Sequence, residues 1–157
     1  MAVNCSTGFR SKILGPTSFE SIFNGGCIEI RSGPQPISAD AAATGELLGR
    51  ITLNGDGWTA GSPDNGLLFV RSGIYAGNDP AQEWVLTGLM SGQAGWFRLV
   101  ANGPDDGGVS SSLPRIDGAA GPLDVPGDYQ MRLPSLSITE STMVVIPSWW
   151  FLLPPIT

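Results

Sequence analysis

The stretch that decides the fold runs from Phe23 to Leu53, FNGGCIEIRSGPQPISADAAATGELLGRITL. From Cys27 the pattern has a period of two. Ile28 and Ile30 fall on one side and Glu29 and Arg31 on the other, as successive side chains of a strand do. Gly33 to Gly45 then holds two prolines, three consecutive alanines and two glycines, with Asp40 as its single charged residue. Alternation resumes at Leu47 to Leu53, where Ile51 and Leu53 oppose Arg50 and Thr52. The segment therefore reads as a strand, a long Pro/Gly-punctuated loop and a second strand. The loop contains nothing suited to acid–base or nucleophilic work, which points to a structural role.

Working outward, Thr17-Ser18-Phe19-Glu20 matches a capping box with Thr17 as N-cap. Phe19 and Phe23 lie four apart on one face of the short helix this predicts, and Gly25-Gly26 ends it. Residues 1–16 have little periodicity and read as an N-terminal arm. Downstream, Asn54-Gly55-Asp56-Gly57 is a strong turn signal. Leu67 to Arg71, Glu83 to Leu86, Gly95 to Ala101, Ser111 to Ile116, Asp128 to Leu133 and Met143 to Phe151 each read as a strand. In Gly95 to Ala101, Trp96, Arg98 and Val100 share one side and Phe97 and Leu99 the other. Many short strands with turns between them predict an all-β fold, a single-domain β-sandwich of jelly-roll type. The expected organisation is an arm (1–16), a sandwich domain with its leading helix (17–147) and a C-terminal tail (148–157). Ile30-Arg-Ser-Gly33 recurs as Val70-Arg-Ser-Gly73, an isolated match that defines no repeat.

Composition narrows the function. The 157 residues suit one domain. With 22 Gly and 13 Pro but 41% hydrophobic residues, the chain is turn-rich yet able to build a core. Eight basic against fourteen acidic residues give a net charge of −6. The basic residues are scattered singly, which argues against nucleic acid or an anionic membrane as a partner. The N-terminus shows no signal-peptide pattern, and the apolar C-terminal run is too short and too rich in proline to span a bilayer. The expectation is a soluble protein made in a cytoplasm, with Cys5 and Cys27 as free thiols.

Histidine is absent, which removes the commonest general base and neutral metal ligand. The aspartates cluster in turns, where their side chains bond backbone amides. A calcium site at Asp105 and Asp106 matches no known loop spacing. The single lysine, Lys12, and the Ser110-Ser111-Ser112 run carry no catalytic pattern. The expectation is no enzyme, no cofactor and no metal. Trp149 and Trp150 are adjacent, so in a strand they face opposite ways and cannot both enter one core. The C-terminal run Trp149, Trp150, Phe151, Leu152 and Leu153 is therefore a candidate subunit interface. The small side chains of Ala41, Ala42 and Ala43 make that loop a second candidate.

The run Phe23-Asn-Gly-Gly-Cys-Ile-Glu-Ile-Arg-Ser-Gly-Pro-Gln-Pro and the following Ala39-Asp-Ala-Ala-Ala-Thr-Gly-Glu-Leu-Leu resemble the opening of small virion structural proteins of tailed bacteriophages. Ala94-Gly-Trp-Phe-Arg98 and the late strands near Ser137-Ile138 and Val144 to Ile146 extend the likeness over most of the chain. The tail SWWFLLPPIT departs from it. The resemblance implies a virion protein on the capsid surface, a decoration or cement protein with a jelly-roll-like fold. Its partners would be the major capsid protein and further copies of itself, as a dimer or trimer. No catalytic residues come with the family. A tail or neck protein and a carbohydrate-binding, receptor-binding module remain as alternatives.

Overall fold

A computed structural model of the protein describes residues 3–62, 64–127 and 130–152. In chain order these form β1 (Asn4–Cys5), α1 (Thr7–Ile13), α2 (Phe19–Phe23), β2 (Cys27–Ser32), β3 (Leu47–Leu53), β4 (Phe69–Ser72), β5 (Tyr75–Asn78), β6 (Trp84–Gly88) and β7 (Gly92–Val100). Then come β8 (Arg115–Pro122), β9 (Met131–Leu133), β10 (Ser137–Ile138), β11 (Met143–Ile146) and β12 (Trp150–Leu152). The fold is all-β, with two sheets and two short helices. The large sheet runs β1-β8-β7-β2-β3-β6-β11, with β10 added to β7 and β9 to β8. The small sheet runs β12-β5-β4. All pairs are antiparallel except β8–β9. No helix among the described residues is long and apolar enough to cross a membrane.

The alternation legible in β2 propagates across the large sheet, because residues paired across antiparallel strands share a face. One row reads Cys5, Ile116, Leu99, Ile28, Ile51, Leu86, Val144. It is the apolar inner face. The next row reads Asn4, Asp117, Arg98, Glu29, Arg50, Thr87, Met143. It is the outer face, and its centre alternates in charge.

The inner face packs against the helices and the small sheet. Phe9, Phe19 and Phe23 from the helices meet Phe69, Trp149 and Phe151 from the small sheet and Trp84 and Phe97 from the large one. Trp149 joins the layers: its ring centroid lies 5.8 Å from Phe69, 6.1 Å from Phe97 and 6.3 Å from both Trp84 and Phe151. Such offset and edge contacts add about 0.5–1.5 kcal/mol per pair beyond area burial. The Nε1 of Trp149 is buried without a protein acceptor, so packing alone places this ring.

Several sequence expectations change, among them the strand expected at Ser111 to Ile116, which is β8 at Arg115–Pro122. Residues 4–13 are no arm: β1 pairs with β8, and α1 buries Phe9 completely. Ser6 caps α1 by accepting from the Phe9 amide, donates to the Leu113 carbonyl at 2.8 Å and accepts from the Arg115 amide at 2.8 Å. A side-chain Cβ at Gly8 would overlap the Ser112 and Leu113 carbonyls, so glycine sets this close approach. The cap of α2 is Ser18, whose hydroxyl accepts from the Ser21 amide. Thr17 instead donates to the Lys12 carbonyl. Lastly, the run from Met143 to Phe151 is not one strand. It splits at Pro147 into β11 on the large sheet and β12 on the small one, so the tail from residue 148 is body through Leu152. Asp128 and Tyr129, expected to begin β9, lie outside the described residues. Gly33 and Gly73, which end the two Arg-Ser-Gly matches, both take positive φ (74° and 62°) just after a strand.

A test of the correction at residues 4–13 follows. Phe9→Ala empties a site shared by α1 and the aromatic core, and should cost about 3–5 kcal/mol in chemical denaturation. A loss below about 0.5 kcal/mol is what a detached arm would give.

Candidate functional site

The loop from Gly33 to Gly45 lies over the outer face of the large sheet and is held there by buried charge. Arg98 and Asp117, neighbours on β7 and β8, are sealed from solvent and form a bidentate pair at 2.7 and 2.8 Å. Arg98 also donates to the Ala41 carbonyl at 3.2 Å, and its guanidinium sits over the Trp96 ring at 5.4 Å. Arg115, equally buried, pairs with Asp105 at 2.5 and 2.7 Å and donates to the Gly108 carbonyl at 2.8 Å and the Ala39 carbonyl at 3.4 Å. Glu29 and Arg31 pair at 2.7 Å on β2. Arg98 and Arg115 therefore each neutralise a carboxylate and pin a loop carbonyl.

The loop's one charge serves the same assembly. Asp40 accepts from the Thr7 amide (2.8 Å) and hydroxyl (2.6 Å) at the start of α1, and its carbonyl accepts from the Ser110 amide. Ala43 donates to the Gly107 carbonyl. Ala39 is buried, Ala41 and Ala43 are half-buried against the protein's own body, and Ala42 alone of the three candidate alanines is exposed.

These groups titrate as their surroundings dictate. Burial pushes the Asp117 carboxyl up, and the Arg98 hydrogen bonds offset only part of that. At Asp105 burial also pushes upward, but the bonds from Arg115 and the Gly107 amide prevail and hold it below its usual value. The Thr7 hydroxyl bond lowers Asp40. Asp105 and Asp40 thus contribute stability present above the unfolded carboxylate range, about 3.9, and lost as pH falls through their lower native values. Asp117 has the opposite sign, its native form taking up a proton before the unfolded chain does.

Other reactive groups are similarly engaged. The Cys5 thiol is pushed up to about 11 by burial, and that of Cys27 is raised further by the same cause. Neither is an activated thiolate. Asp106, the partner in the calcium candidate, accepts from the Gly108 amide as a turn residue does. Among the described residues, no group of three or more His, Cys, Asp or Glu side chains could hold a metal ion.

The C-terminal candidates divide by strand parity. Trp149 and Phe151 face inward and are buried, leaving a partner almost nothing to touch. Trp150 and Leu152 face outward, 49% and 40% exposed. Leu153 lies outside the described residues. The outward strands beside them add Val70 and Tyr75, cross-strand neighbours through Trp150–Gly77–Val70 and Leu152–Tyr75–Ser72. Exposed Leu68 lies just before β4. The sequence did not reveal β5, because Tyr75-Ala-Gly-Asn carries no apolar alternation. Its Gly77 is required because the Trp150 ring lies where a Cβ would be.

Comparison of the chain with protein-family models, curated proteins and solved structures finds no match.

Removing one member of the buried pair tests its role. Asp117→Ala strands Arg98 and should destabilise the fold by about 3–5 kcal/mol, whereas Arg98→Met with Asp117→Leu should recover most of that loss. Equal losses in the two variants, measured by urea denaturation, would show that the pair's charges do not matter.

Proposed function

We propose that the protein is a virion structural protein that works by surface area, a capsid decoration or cement protein bridging adjacent major capsid subunits. The observation that carries an assembly role is the outward face of the small sheet. Leu68, Val70, Tyr75, Trp150 and Leu152 form an apolar surface there that the chain's own described residues leave open. Apolar patches of this kind on soluble domains mark contact surfaces. The virion setting comes from the sequence resemblance carried by Phe23 to Leu48 and Ala94 to Arg98, and with it comes a jelly-roll-like reading of the two-sheet fold. The small sheet would meet the lattice, while the charge-pinned loops would keep the opposite, outer face of the body rigid.

A glycan-binding module would use several exposed tryptophans as a stacking platform. Trp84, Trp96 and Trp149 are buried, and the Trp58 indole is half-buried and donates to the Gly25 carbonyl. Only Trp150 is exposed. This weighs against the carbohydrate reading.

The test is attachment to particles. Trp150→Ser should leave the isolated protein folded and reduce its recovery with purified particles at least about tenfold, a change of about 1.4 kcal/mol in binding. Unchanged recovery, or particles in which the protein is absent from the shell, would contradict the proposal.

A further inference from the structure

Six asparagines occur in the chain, and four of them precede glycine: Asn24-Gly25, Asn54-Gly55, Asn65-Gly66 and Asn102-Gly103. In this dipeptide the glycine nitrogen can attack the asparagine side chain, because glycine has no Cβ to obstruct the approach. The fold holds three of the four in place. At Asn24 the Oδ1 accepts from the Phe69 amide at 2.9 Å, and the Gly25 amide donates to the Leu67 carbonyl at 2.8 Å. At Asn102 the Oδ1 accepts from the Gly61 amide at 2.8 Å and the Nδ2 donates to the Ser62 carbonyl at 2.9 Å, while the Gly103 amide donates to the Ala101 carbonyl. At Asn65 the Nδ2 donates to the Gly57 carbonyl at 2.7 Å, and Gly66 is buried against the Gly25 backbone.

Asn54 differs. Its side chain is exposed and bonds to nothing among the described residues, and the Gly55 amide is equally unengaged. Asn54 and Gly55 take φ 57° and 75°, and the Asp56 amide donates to the Leu53 carbonyl at 3.0 Å, the pattern of a type I′ turn. The turn is fastened through other atoms. The Asn54 amide donates to the Glu83 carbonyl at 2.8 Å, Thr52 Oγ1 to the Asp56 carbonyl at 2.7 Å and Thr87 Oγ1 to the Gly55 carbonyl at 3.0 Å. The two groups that would react are the two left unheld.

We propose that Asn54 is a site of spontaneous deamidation in the folded protein, independent of any assembly role. When the turn opens briefly, the Gly55 nitrogen gives its proton to hydroxide and attacks Asn54 Cγ. The N–Cγ bond forms, the Cγ–Nδ2 bond breaks, and Nδ2 takes a proton from water and leaves as ammonia. Water then opens the resulting cyclic imide at either carbonyl. One opening gives an aspartyl residue; the other gives an isoaspartyl link, in which the main chain runs through the former side chain. Either product adds a negative charge to a chain that carries −6. The isoaspartyl link also lengthens the main chain where Thr52 and Thr87 bind it and where Gly55 lies against Met143 and Val85. The turn then loosens from the outer face of β3 and β6.

The purified chain is held in mildly alkaline buffer, native in one arm and in urea in the other, then mapped by tryptic digestion and mass spectrometry. Asn24 and Asn102 fall in separate peptides; Asn54 and Asn65 share residues 51–71, where fragmentation tells them apart. In urea all four dipeptides should convert at comparable rates. In the native arm Asn54 should convert at least about tenfold faster than the other three, whose hydrogen bonds and packing must open first. Labelling by an isoaspartyl methyltransferase should rise with it. Asn54→Gly, which keeps a residue at ease with positive φ, should abolish both signals in the native arm. Native conversion as fast at Asn24, Asn65 or Asn102 overturns the proposal. So does an Asn54 that stays intact in the native arm while the chain in urea converts, or an unchanged native mass gain in Asn54→Gly.

Discussion

Arg98 and Asp117 sit side by side on neighbouring strands, sealed from solvent, and the outer half of the protein is arranged around them. Burying two charges costs several kcal/mol per ion before their attraction is counted. The cost is offset here by bidentate geometry and by the row in which the pair lies, where Asp117, Arg98, Glu29 and Arg50 alternate in sign across four strands. Arg115 and Asp105 repeat the arrangement next to it. Carbonyls of Ala39, Ala41 and Gly108 complete the arginines, so the loops that supply them are bound to the sheet as firmly as the charges are. The Nη1 of Arg98 still has no protein acceptor, which leaves part of the burial cost of the pair uncompensated.

This arrangement determines which surface is left for contact. The inner face of the large sheet is closed by α1, α2 and the small sheet, and its outer face is covered over Arg98 and Arg115 by the pinned loops. The outward side of the small sheet and the hairpin tip stay open and apolar, as do Met143 and Val145 on the outer face of β11 and Ile37 and Val109 in loops. The small sheet is tied to the body by buried Trp149 and Phe151, while Trp150 and Leu152, one residue out of phase with them, face away. Strand parity alone thus separates buried anchor from exposed surface within four residues.

Much of this was legible in the sequence, and the limits have physical causes. The period of two in β2 and β3, the positions of Ile28, Ile30, Ile51, Phe97 and Leu99, and the opposite orientations of Trp149 and Trp150 all follow from alternation. The role of the outer face does not, because alternation gives Glu29 and Arg98 a side of their strands but not what covers it, and Asp117, just past the expected strand Ser111 to Ile116, reads as a turn aspartate. Only long-range pairing, with Arg98 nineteen residues from Asp117 and fifty-seven from Ala41, brings them under a loop. The small alanines of that loop read as packing surface for another subunit; in the fold Ala41 and Ala43 are half-buried within their own chain and Ala42 is exposed. Residues 4–13 read as an arm because what ties them down is long-range: β1 pairs with β8, and Ser6 bonds to Leu113 and Arg115, more than a hundred residues away. β8 was placed too early because Gly118, Ala119 and Ala120, buried in its second half, have little local strand propensity.

The central claim is that the outer loops belong to the cooperative core. Native-state hydrogen exchange tests it most directly, at the amides of Thr7, Ala43 and Ser110, which bond to Asp40 and Gly107. The account predicts protection within about tenfold of that at Ile28 and Leu99 in the sheet, with all opening together. Exchange at those three amides on the time scale of an unstructured loop, while the sheet remains protected, would contradict it.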